Sequence, residues 1–160
     1  MTYWLAFTVG LPTLVQGYLL GLLTLTFGFT RYPRFDGPLL VTDWRPWWGL
    51  RWNYCTTIGA WQGRPVWFNK WTDWHEDIHL QQFIDENAKG LVLGACLVPW
   101  VGWKGLLIIW GTSGASWLLP NYVTAAVRYW RPGVSFMDAV YKGSGHEDHA
   151  YDSTEVERSK

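Results

Sequence analysis

Asp73 to Gln82 reads DWHEDIHLQQ and places two histidines, His75 and His79, four residues apart, with Glu76 directly after the first. On an α-helix, positions i and i+4 lie one turn apart on one face, so both imidazoles can reach a single cation. Glu76 then stands beside that cation, where a carboxylate can take a proton from a water and later pass it to a leaving amine. Zn2+ suits the set, because two imidazoles and a carboxylate leave a fourth position open for water. A histidine pair on an ordinary solvated helix has the same spacing, so the elements around the motif must decide.

Those elements have to fit into 160 residues, enough for one domain with its own core, so a metal here would serve function more than folding. Lys+Arg and Asp+Glu are 13 each, which gives no electrostatic reason to expect a nucleic acid partner. Cys55 and Cys96 are too far apart for a CxxC pair or a cysteine zinc cluster and are expected to be buried thiols. With 14 Trp and 18% aromatic residues, the composition fits side chains at a lipid–water boundary, a Trp-rich soluble core being the competing reading.

Residues 3–29 carry no charge and are followed by Arg31 and Arg34, a run long enough to cross a bilayer. No basic residue precedes the run and no small-x-small site follows it, so it is expected to be a retained anchor helix within residues 1–34. With Arg45 and Arg51, these arginines would keep its C-terminal side in the cytoplasm of a bacterial inner-membrane protein. Residues 35–89 are expected to hold a small, mostly antiparallel sheet and then a helix from Asp73 to Lys89 capped by Thr72. The strands fall near Leu39–Asp43, Leu50–Ile58 and Pro65–Phe68, with turns at Arg45-Pro46 and Gln62-Gly63. Residues 90–120 contain Pro99, Gly102, Lys104 and Gly105, which predicts two short apolar helices meeting at a turn; Lys104 marks the hairpin tip or snorkels. A further helix, Tyr122–Trp130, closes a third region, 90–133, and residues 134–160 form a polar tail. The fold class is therefore α+β.

The run HEDIHLQQ resembles the active helix of zincin metallopeptidases, in particular small glutamate-type zincins that read HExxHxxQ. The likeness covers roughly residues 39–89 and 147–158. It implies an α+β core with an edge strand above the helix that binds an extended peptide, for which Trp61 to Phe68 is the expected segment. It also implies zinc held by His75 and His79, with Glu76 as general base. A metzincin-type third ligand would be Asp85, but Gln82 replaces the glycine that would end the helix, and six residues on the helix turns to another face. The glutamate-type pattern takes its third ligand from a later helix, which points to Glu155 in DSTEVER; His146 and His149 are competing donors.

The resulting expectation is a membrane-associated zinc peptidase acting on a peptide or protein substrate, with membrane lipid as a second partner. The alternative is a structural or assembly protein of a viral particle or membrane complex that keeps a zincin-like fold. Tyr151 is a possible oxyanion donor or a surface anchor. Trp44, Trp47, Trp48 and Trp52 would form an interfacial belt, pack in the core or line a cleft.

Overall fold

A computed structural model describes residues 5, 7–44, 56–65, 68–136, 139–140, 144, 147, 149–150 and 152, with the backbone alone at 71 and 115–118. Its elements are helix α1 (Leu11–Thr26), strands β1 (Thr30–Asp36), β2 (Leu39–Trp44), β3 (Thr56–Ile58) and β4 (Trp61–Arg64), then helices α2 (Lys70–Thr112) and α3 (Ala115–Tyr129). The fold is α+β. Expectations placed on Arg45 to Cys55, on Trp67, and on His146, Tyr151 and Glu155 lie outside the described residues.

The apolar N-terminal run does not make one long helix. Gly10 precedes the first turn of α1, Pro12 sits in that turn, and the helix ends after 16 residues. Arg31 and Arg34, expected at the end of an anchor, belong to β1. One face of α1 is covered because Thr13, Gly17 and Gly21 recur every four residues; a Cβ at Gly17 would strike the backbone of Ala60, and one at Gly21 the ring of Trp61. The opposite face, including Leu11, Val15, Leu19 and Leu22, is exposed.

The sheet has the order β1-β2-β4-β3 and is mixed, which corrects the antiparallel expectation. β1 with β2 and β3 with β4 are antiparallel, but β2 and β4 run parallel, with Leu40 opposite Trp61 and Asp43 opposite Arg64. The turn joining β3 to β4 lies at Gly59-Ala60, where Gly59 takes φ +60, and Gln62-Gly63 is strand instead. Gly63 is needed there because the ring of Trp44 covers it, leaving no room for a Cβ. β4 is consequently an inner strand, and β1 and β3 are the edges. Leu14, Leu39, Val41, Ala60, Leu80 and Ile84 form the core between α1, the sheet and α2.

α2 starts three residues earlier than expected. Asn69, not Thr72, is its cap: Asn69 Oδ1 accepts from Thr72 N at 3.0 Å, satisfying one of the free amides of the first turn. By length and composition α2 is long and apolar enough to cross a membrane. It is not straight. Gly102 leaves helical geometry (φ 67, ψ 177), and the chain folds back, so that Gly94 meets Leu106 and Gly90 meets Ser113. The expected hairpin therefore exists, turning at Gly102, with Pro99 accommodated inside the first arm. The return arm ends at Thr112, and α3 begins earlier than expected, at Ala115. Cys96, expected to be buried, is exposed on the first arm.

Asn87 joins these parts. Its Oδ1 accepts from Thr13 N at 3.1 Å and from Thr13 Oγ1 at 2.6 Å, while its Nδ2 donates to Ser113 Oγ at 2.9 Å. Thr13 N is an otherwise orphaned donor at the start of α1, and Asn87 has no exposed surface. Asn87→Leu removes the amide while leaving Thr13 N and Ser113 buried. We expect a loss of about 2–3 kcal/mol in denaturant unfolding, whereas Gln81→Ala at the helix surface changes stability by less than about 0.5 kcal/mol.

Candidate metal centre

The first turns of α2 lie between the edge strand β3 and the segment that carries Glu147. His75, Glu76 and His79 are all buried there, although each is polar, and so is Gln82. Buried groups of this kind need partners, and they find them in one another. His75 Nε2 and His79 Nε2 are 3.1 Å apart, and Glu147 Oε2 lies 3.2 Å from the first and 3.3 Å from the second. A carboxylate oxygen and two imidazole nitrogens thus converge on one point.

Three donors bound to one tetrahedral zinc at about 2.0–2.1 Å would be separated by about 3.3 Å, which is the spacing found. The tautomer fits as well. His79 Nδ1 is 2.9 Å from Gln82 Oε1, which can only accept, so Nδ1 carries the proton and a neutral ring turns its Nε2 lone pair into the cluster. Gln82 Nε2 in turn lies 3.2 Å from His149 Nδ1. The buried set His75, His79 and Glu147 could hold a metal ion.

Burial pushes the Glu147 carboxyl up, but hydrogen bonds from His75 and His79 and their positive charge outweigh it and hold the group at about 2. Burial likewise disfavours the His79 imidazolium, yet the hydrogen bond and charge of Glu147, with the charge of Glu76, raise it to about 9. Glu76 itself is pushed up by burial, against the opposing pull of His79, a hydrogen bond from Thr57 and His75. Its Oε2 is buried with no hydrogen-bond partner among the described residues. The support behind Glu76 runs through the sheet: Gln62 Nε2 donates to Thr57 Oγ1 at 3.4 Å, and Arg64 Nε donates to Gln62 Oε1 at 2.5 Å. Tyr122 on α3 is close enough to Glu147 and Glu76 that, after burial, their charges raise its phenol further.

Of the expected site residues, His75, Glu76 and His79 come together. Asp85 is exposed and takes a hydrogen bond from Gln81, away from the cluster. The carboxylate that joins the histidines is Glu147, which the sequence reading passed over; Glu155 and His146 lie outside the described residues, and His149 reaches Gln82, not the ligand atoms. One signal was present: His146-Glu147-Asp148 repeats the tripeptide His75-Glu76-Asp77 in an otherwise linker-like tail. No family model, no curated protein and no solved structure matches the chain. The chemistry of the site therefore rests on its own geometry.

Two outcomes follow. With His79 protonated up to about 9 in the metal-free protein, zinc uptake at neutral pH must expel that proton, so affinity should rise about tenfold per pH unit and level off above that value. Calorimetry in buffers of different ionisation enthalpy should show about one proton released per metal. Gln82→Ala, which frees His79 Nδ1, should weaken zinc binding about 10–100-fold in a competition titration.

Proposed function

We propose that the protein is a membrane-associated zinc-dependent peptidase in which His75, His79 and Glu147 hold the metal. The single observation that carries this reading is the unpartnered Oε2 of Glu76, buried beside a three-donor cluster. A purely structural zinc site takes four protein ligands and has no use for a neighbouring free carboxylate. Bound zinc would supply Lewis acidity, polarising a carbonyl and making a water acidic enough to attack.

The chain's own groups divide the remaining work. Glu76 Oε2 accepts the proton of the attacking water and returns it to the leaving nitrogen; burial raises its basicity. Thr57 holds the Glu76 carboxylate in place. Gln82 keeps the His79 ring in the orientation and tautomer needed for ligation. Tyr122, whose raised phenol stays protonated at neutral pH, donates to the negative charge that develops on the carbonyl oxygen.

Substrate enters along β3. This edge strand has β4 as its one neighbour among the described residues, and its Thr57 contacts Glu76, so an extended peptide pairing with β3 passes the proton acceptor. That role moves from the expected segment Trp61 to Phe68, because β4 is flanked on both sides.

Glu76→Gln separates catalysis from scaffolding. It should leave zinc content and fold intact while lowering proteolysis of an unstructured protein by about 10²–10⁴-fold. His75→Ala and Glu147→Ala should instead lose the metal, read by mass spectrometry of the purified protein. Equal biological activity of wild type and Glu76→Gln, with no chelator-sensitive cleavage in either, would replace the peptidase by a structural or assembly role.

A further inference from the structure

The hairpin beyond the metal centre faces outward with apolar side chains. After Asp85, Glu86 and Lys89 the chain carries one charge before α2 ends, Lys104. Val92, Leu93, Leu107 and Ile108 are exposed on the two arms. Between the arms the chain is closed tightly at Gly94, against Leu106. Each arm is helical, the form in which a segment pairs most of its backbone groups within itself, as lipid requires.

The turn is the exception. Gly102 is non-helical and exposed, Lys104 beside it is exposed, and the flanking Trp100 and Trp103 are 78% and 63% exposed. An irregular, lipid-facing peptide leaves polar groups unpaired in hydrocarbon, and an ammonium there adds about 2.5–3.5 kcal/mol. Tryptophan and lysine, by contrast, suit the headgroup boundary. The tip therefore cannot rest at the bilayer midplane. The other boundary is marked by Asp85 and by Glu86, to which Lys89 is ion-paired. From Asp85 to Gly102 a helix rises about 26 Å, close to a hydrocarbon thickness of about 27–30 Å.

We propose that this hairpin passes through a phospholipid bilayer and back, seating Gly102 and Lys104 among the headgroups of the leaflet opposite the metal centre. The lipid-facing surface continues onto the neighbouring N-terminal segment, where Trp110 Nε1 donates to Val9 O at 2.9 Å and Leu11 is exposed. The metal cluster, whose His75 and His79 stand ten and six positions before Asp85, and the start of α3 then lie on one side of the membrane. None of this depends on zinc or on peptidase activity.

The exposed Cys96 lies between the two boundaries and is a ready-made depth probe. In a Cys55→Ser background, the full chain is labelled with bimane at Cys96, or, with Cys96→Ser added, at Asp85→Cys or Lys104→Cys. Each is reconstituted in phosphatidylcholine/phosphatidylglycerol vesicles and quenched by lipids brominated deep in the acyl chain. Quenching should be severalfold greater at position 96 than at 85 or 104, whichever way the protein is oriented. A steady rise from 85 to 104 would place the tip at the midplane and overturn the proposal. So would the absence of quenching at all three positions, the result expected if a second copy or another protein covers the hairpin. If Lys104→Cys does not fold, Trp103→Cys reports the same tip.

Discussion

The side-chain amide of Asn87 is where the molecule changes character. Below it, α2 carries its polar site residues on a buried face; above it, the same helix is apolar and largely exposed. A helix can serve both environments only if its neighbours are fixed at the boundary, and Asn87 fixes two of them, the start of α1 through Thr13 and the end of the return arm through Ser113. The arrangement is also economical in unpaired groups. It saturates the carbonyl oxygen of the amide and an amide hydrogen of a helix start at a point where no water is needed to do so.

From that point downward the position of every site residue follows. Thr13 O accepts from Ala60 N, so the turn between β3 and β4 is tied to the same end of α1. That turn sets β3 against α2, which brings Thr57 to Glu76. The return arm hands the chain to α3 at Gly114, whose left-handed backbone lies close to Asn87 and Thr13, and α3 carries Tyr122 back toward the two carboxylates. A buried ionisable cluster is costly unless its geometry is held from several sides, and here the sheet, two helices and the tail segment each hold one part of it.

What could be read from the chain is what is local in it. The spacing of His75, Glu76 and His79, the turn potential around Gly102, the helical run after Asp73 and the α+β class all depend on residues close in sequence, and each is present in the structure. The parts missed depend on remote pairing. A parallel β2–β4 pair needs a crossover that no short pattern reveals, and Gly63 looked like a turn because the Trp44 ring that requires a glycine there is distant in sequence. The N-terminal run looked like a single span because hydropathy does not distinguish a face against lipid from one against a sheet. Glu147 was hidden for the same reason: its neighbours in sequence are those of a solvated tail, and only the tertiary fold brings it to the histidines.

The long interval between the histidines and Glu147 has a consequence in polymer terms. His75 and Glu147 are 72 residues apart, so a cation shared between them would close a loop containing the whole hairpin and α3. Because the ligands come together only in the folded chain, such an ion would stabilise that chain by an amount set by its concentration relative to its dissociation constant. The ion would then act as a removable staple between α2 and Glu147. The tail would thus be the part of the molecule whose attachment reports whether the centre is filled.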